Sequence, residues 1–192
     1  MNQQPATSPK LFMVLLGANP PGRNVEQHDY FFGIGTSLKA LIPSIKHFWP
    51  EAGNTLHLDG WREINYVDGF RIEVVDKDEQ EALSPLRLFF INLGGYREQL
   101  LEEQHYTVLS VHQERLEAIK ESKKTIFFKT NTFKGATSHI DEKFGIDVDD
   151  IYRIEDILAP EFKERYHIRI TPDAEPLTDL VTLGYFKLDK IP

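Results

Sequence analysis

Glu26-Gln27-His28 recurs in the second half of the chain as Glu103-Gln104-His105. A carboxylate and an imidazole at such short range can share acid–base work, hold a small polar ligand, or give oxygen and nitrogen to a metal. A second pair, His57-x-Asp59, recurs as His139-x-Asp141. On an extended segment, residues two apart face the same way. With Glu26 and His28, the pair makes one oxygen-and-nitrogen set per half, suited to zinc, manganese or iron, with His28, His57 and Asp59 as the metal candidates. The plainer alternative is a hydrogen-bonded His pair, with Gln27 bonding loop backbone and Glu26 favouring the amino end of a helix.

Further polar groups widen the choice. Gly17 to Asn24 reads as a loop running into a helix start beside Arg23, where backbone amides can hold a phosphate or carboxylate, although Glu26 opposes an anion. It is neither a Walker sequence nor a dinucleotide fingerprint. Arg71-Ile72-Glu73 recurs as Arg153-Ile154-Glu155; two converging arginines would form an anion site or a subunit contact. His105 and His112, seven apart with Leu109 and Leu116 on an expected helix, read as satisfied core histidines. Lys129, Lys134, Thr137 and Ser138 lie in a polar stretch that reads as a solvated loop. The Asp147-Val148-Asp149-Asp150 run lacks the glycine and closing glutamate of a calcium loop, and is expected to be a turn or a helix cap.

The elements that must position these groups follow from pattern. Leu11 to Leu16, ended by Gly17, is an apolar run suited to a strand buried on both faces. A helix is expected from Val25, with Phe31, Ile34, Leu38, Leu41 and Ile45 stepping by three and four, and Pro43 kinking or ending it. Asp68-Gly69 between Ile64 to Val67 and Phe70 to Val74 signals a two-residue hairpin. Leu86 to Leu93 is a second buried strand, followed by a helix from about Arg97 to Glu121 and a strand at Thr125 to Phe128. The tail from Tyr166 is expected to supply one or two further strands, at His167 to Ile170 and Gly184 to Leu188.

Laying residues 11 to 28 over 88 to 105 without a gap matches Leu11, Phe12, Leu16, Gly17, Glu26, Gln27 and His28 with identical residues. A second block, 57 to 75 over 139 to 157, also gives seven identities. The expected architecture is therefore α/β: two related βαβ-type repeats (βαββ-like) about a pseudo-twofold, with a mixed sheet and packed helices. The boundaries are a flexible tail at 1–10, repeat one at 11–76, a linker at 77–85, repeat two at 86–158 and C-terminal strands at 159–192, all in one globular unit. The stretches Leu11 to Gly17, Gly22 to Asp29 and His57 to Glu63 resemble a bacterial family carrying one or two copies of the domain of unknown function numbered 1543. The resemblance implies two copies and a bacterial origin, and it brings no mechanism.

Composition narrows the function classes. The formal net charge of −8 repels a polyanion, so nucleic acid is not expected as a partner. The chain has no cysteine, which excludes disulfides and thiolate chemistry and suits a reducing cytoplasm. No stretch approaches the roughly 20 apolar residues of a membrane helix. Three readings remain. The first is a cytoplasmic protein that binds a small, potentially anionic ligand at its strand ends, with Arg23, Glu26, His28, His57, Asp59, Arg71, Glu103, His105, His139, Asp141 and Arg153 as candidates. The second is a homodimerising structural or regulatory module that uses Trp49 and Trp61. The third is a metal-dependent hydrolase with His28 or His57 as base. No cofactor and no catalytic residue is assigned from the sequence.

Overall fold

The computed structural model describes residues 8–78, 84–96, 101, 103–130, 147–175 and 177–191. The chain divides into two compact units, one of Met1–Leu83 with Ile157–Pro192 and one of Ser84–Asp156.

The first unit is built on β1 (Lys10–Ala18), whose apolar run becomes the centre of a sheet. β2 (Gln27–Gly35) pairs with it antiparallel on one side and β3 (His57–Glu63) antiparallel on the other. β10 (Thr182–Lys187) adds to β3, giving the order β10-β3-β1-β2. The helix expected from Val25 is therefore a strand, and the first pairing is antiparallel rather than a parallel crossover. Phe31, Phe32 and Ile34 are all buried on β2, and the consecutive aromatics Tyr30-Phe31-Phe32 suit a pleated strand better than a helix. Of the residues that continued the apparent helical stripe, Leu38 precedes a one-turn 3-10 helix, Leu41 ends it, and Ile45 lies in α1 (Ile42–Phe48). Pro43 stands in the first turn of α1, where its missing N–H has no bond to lose. Phe48 closes the layer by an edge contact with Phe31, ring centroids 5.5 Å apart.

A second sheet in this unit joins β4 (Tyr66–Val67), β5 (Phe70–Asp76) and β9 (Tyr166–Pro172). The expected hairpin is present: Asp68 and Gly69 both take positive φ, 52° and 80°, as a two-residue primed turn requires. A Cβ at Gly69 would meet nothing within 4 Å, so only backbone conformation opposes a side chain there. Gly69→Ala is expected to cost about 1 kcal/mol, read as a lower urea midpoint with an unchanged slope. α4 (Pro160–Arg165) leads into β9, and the C-terminal strands complete both sheets of this unit.

The second unit holds β6 (Arg87–Tyr96), flanked by β7 (Glu103–His112) and β8 (Asp147–Arg153), both antiparallel. α2 (Arg115–Thr130) follows β7, so the helix expected at 97–121 is mostly a strand and the strand expected at 125–128 lies in the helix. Phe89, Ile91, Leu93, Ala118 and Ile151 form its core. The Asp147–Asp150 run, expected to be a turn or a helix cap, is part of β8, and the helix α3 (Ile154–Ile157) begins after it. Every pairing between described strands is antiparallel.

The two units share a register. Gly17 pairs with His28 as Gly94 pairs with His105. Gly17 also pairs with His57 as Gly94 pairs with Asp147, and the third strand bulges at the same place, between Leu15 and Leu16 and between Asn92 and Leu93. The partner of His57 by register is thus Asp147 rather than His139. The second block of identities, which set Ile72 of β5 against Ile154 of α3, joins a strand to a helix and does not describe equivalent positions. Among the described residues no helix is long and apolar enough to cross a membrane.

Candidate functional site

Across β2, β1 and β3 the residues His28, Gly17 and His57 lie side by side in register. Directly opposed residues of antiparallel strands project to the same face, so two imidazoles flank a position that has no side chain. The bulge in β3 leaves Asp59 without a partner on β1 and turns it toward this row. Glu26 reaches it from the residue before β2. The resulting contacts are His28 Nε2 to Asp59 Oδ2 at 3.1 Å, His57 Nε2 to Glu26 Oε1 at 3.1 Å, His57 Nε2 to Asp59 Oδ1 at 3.3 Å, and His28 Nε2 to Glu26 Oε2 at 3.9 Å.

Burial is graded across the cluster. The His57 side chain is 3% exposed and Asp59 23%, whereas Glu26 and His28 are 39% and 48% exposed. One half is held by the fold and the other opens to solvent. His57 is fixed from behind: its Nδ1 lies 2.8 Å from the Thr55 carbonyl. A carbonyl only accepts, so Nδ1 carries the hydrogen and Nε2 is the atom turned toward the carboxylates. Thr55 is itself anchored, its hydroxyl donating to Ala52 O at 2.7 Å and accepting from Asn19 N at 3.0 Å. The Tyr185 ring of β10 covers His57 at 4.3 Å between centroids.

The approaches between imidazoles and carboxylates lack hydrogen-bond geometry, and His57 Nε2 and Asp59 Oδ2 are buried without a partner. Each such orphan costs about 1–3 kcal/mol, so the arrangement is not explained by stability. Gly17 makes room for it: a Cβ there would collide with His57 Nε2 and lie 2.5 Å from Asp59 Oδ2.

The other sequence candidates lie elsewhere. Arg23 is exposed on a turn closed by its own N–H to Pro20 O, and the strand that follows offers no helix amino end to an anion. Gln27 is exposed and bonds loop backbone, its amide donating to Val25 O at 2.9 Å. Arg71 on β5 clamps Asp173 at 2.9 Å, and Asp173 is held below the usual carboxylate range by the Glu175 N–H and by Arg71. Arg153, in the second unit, bonds Glu155 at 3.1 Å. It lines an open cleft of about 720 Å³ with Arg87, Arg115 and Asp156, a cleft without histidine. The two arginines are thus neutralised locally, on elements that are not equivalent. His105 and His112 sit on a strand instead of a helix, and His105 is exposed. Glu103 is placed only by its position on β7. His139 and Asp141 lie outside the described residues. Trp61, expected as a free docking aromatic, packs edge-on to Phe186 at 4.8 Å, and Trp49 is half-buried.

Residues 23–74 match the family described as Domain of Unknown Function (DUF1543). The DUF1543 segment contains Glu26, His28, His57 and Asp59, together with both strands that flank β1. No curated protein matches the chain. Among solved structures it is similar to the crystal structure of protein Il1583 from Idiomarina loihiensis, at 26% identity and a TM-score of 0.63, covering 94% of this chain and 97% of that one.

Gly17, Thr55 and Tyr185 were not singled out as site residues by spacing. Gly17 carried a signal, since a glycine closing an apolar strand marks a close approach to the backbone. Thr55 and Tyr185 act through contacts that only the folded chain creates.

Proposed function

We propose that the first unit binds a small polar ligand at the mouth formed by Glu26, His28, His57 and Asp59. The carrying observation is the buried His57 Nε2, turned toward two carboxylates without a bond to either. Two carboxylates at the mouth disfavour the anionic ligand expected from the Arg23 loop and favour a cation or a hydrogen-bond donor. The matching registers support reading the two units as copies of one three-stranded design. In that design only the first unit places a histidine on both sides of the glycine, since Asp147 takes the place of His57.

The reading is tested by exposing protein with isotope-labelled histidine to small amines, carboxylates and phosphates. Binders are expected to move the ring signals of His28 and His57 together, leave His47 unchanged, and bind at least about tenfold more weakly to Asp59→Asn. Binders that consistently map elsewhere, or none that reach these rings, would overturn it.

A second reading, a homodimerising module, is supported by β10, an outer strand of its sheet that leaves Leu183 and Tyr185 exposed. Outer strands with exposed apolar residues invite pairing with another chain. Sedimentation is expected to show a dimer that Leu183→Asp dissociates; a monomer at all concentrations removes this reading.

A further inference from the structure

We infer that the occupant of the Glu26, His28, His57 and Asp59 cluster is a divalent transition metal ion of the zinc or manganese class, an inference that rests on the ligand-binding reading above. Size separates the candidate ligands. Four donors about 2.0–2.1 Å from a metal in tetrahedral array are separated by about 3.3 Å. Four acceptors about 2.8 Å from an ammonium nitrogen would be separated by about 4.6 Å. The approaches of the two imidazole Nε2 atoms to the carboxylates, each made to a different oxygen, are 3.1, 3.1, 3.3 and 3.9 Å, nearer the shorter of these edges.

The orientation of the groups agrees. His57 donates its Nδ1 hydrogen to the Thr55 carbonyl, the outer support that leaves Nε2 free to ligate. Asp59 turns one oxygen to each histidine. A proton shared between these groups would give in-line hydrogen bonds, and His57 Nε2 and Asp59 Oδ2 have none. Two imidazoles with two carboxylates suit zinc, manganese or iron and are too rich in nitrogen for calcium or magnesium. Among the described residues no group of three or more His, Cys, Asp or Glu is placed to hold a metal ion as it stands, so an ion must draw the exposed members inward. The widest separation, from His28 to Glu26, joins the two most exposed members, so binding closes the solvent side onto the fixed pair His57 and Asp59.

The test uses the full chain purified without chelator or affinity tag, titrated calorimetrically with zinc chloride and with manganese chloride, and with cobalt chloride followed by visible absorption. One ion per chain is expected, with cobalt giving the intense bands of a four-coordinate site. His28→Ala and Glu26→Gln, on the exposed half where folding is least at risk, are expected to weaken zinc binding by about tenfold or more. A folded wild-type chain that binds none of the three ions overturns the inference, as does zinc binding unchanged in both variants. If organic probes still move the rings of His28 and His57 in a chain that binds no metal, the metal inference falls and the ligand site stands. If neither metals nor probes reach those rings, both fall.

Discussion

Gly17→Ala is expected to abolish binding at the cluster and to destabilise the first unit by about 1–3 kcal/mol, as overpacking of a fitted site does. The added methyl has no free space: it collides with His57 Nε2 and meets Asp59 Oδ2 at 2.5 Å. Neither neighbour yields easily, because the His57 ring is held by Thr55 behind it and covered by Tyr185. The imidazole must swing off its Thr55 bond or the central strand must shift, and either movement separates His57 from Glu26 and Asp59. Titration of zinc or of the organic probes reads the first effect and urea unfolding the second. A variant that binds as wild type would show that the space in front of Gly17 is not used. Glycine at an outward-facing turn such as Gly53, where a Cβ meets nothing within 4 Å, gives the control for backbone strain alone.

Asp179→Ala carries the larger stability effect, about 3–5 kcal/mol, the range for breaking a buried ion pair from one side. Its side chain is 2% exposed and lies 3.4 Å from the Arg62 guanidinium. It also accepts from the Asn65 N–H at 3.1 Å and from the Tyr66 N–H at 3.4 Å, tying the C-terminal stretch to the junction of β3 and β4. Removing it orphans these donors together. Burial already pushes the Arg62 pKa down, with Asp179 supplying the opposing attraction, and Arg62 Nε has no partner of its own. Asp179→Asn retains shape and one acceptor, so it should fall between wild type and alanine. A loss below about 0.5 kcal/mol in urea unfolding of Asp179→Ala, the scale of an ordinary surface change, would mean that water replaces the carboxylate and that this anchor is dispensable.

The signals that survived folding were local ones. An apolar run closed by glycine produced β1 and β6, and Asp68-Gly69 produced its hairpin, because backbone preference and burial agree at those points. The misread helix shows where such reasoning ends. Phe31 to Ile45 carries apolar residues at helical spacing, yet the stripe is made by a strand followed by two short helices whose buried faces happen to align in sequence. Local pattern cannot separate these cases, since a strand buried on both faces shows no period of its own. The Gly17/Gly94 echo stayed in register because no insertion falls between the first two strands of either unit. The His57/His139 echo did not, because the connection to the third strand is longer in the second unit and shifts Asp147 into place.

For the site, the amino-acid sequence alone determined the chemistry available: two carboxylates and two imidazoles within a DUF1543 segment, without cysteine or a phosphate-binding motif. The tertiary structure decided that they act on one point. Antiparallel pairing on both sides of β1 set His28 and His57 opposite the same residue, the bulge turned Asp59 to join them, and the absence of a side chain at Gly17 left the space they share. That space depends on register between strands distant in the chain, a property of the pairing that no single stretch of residues contains.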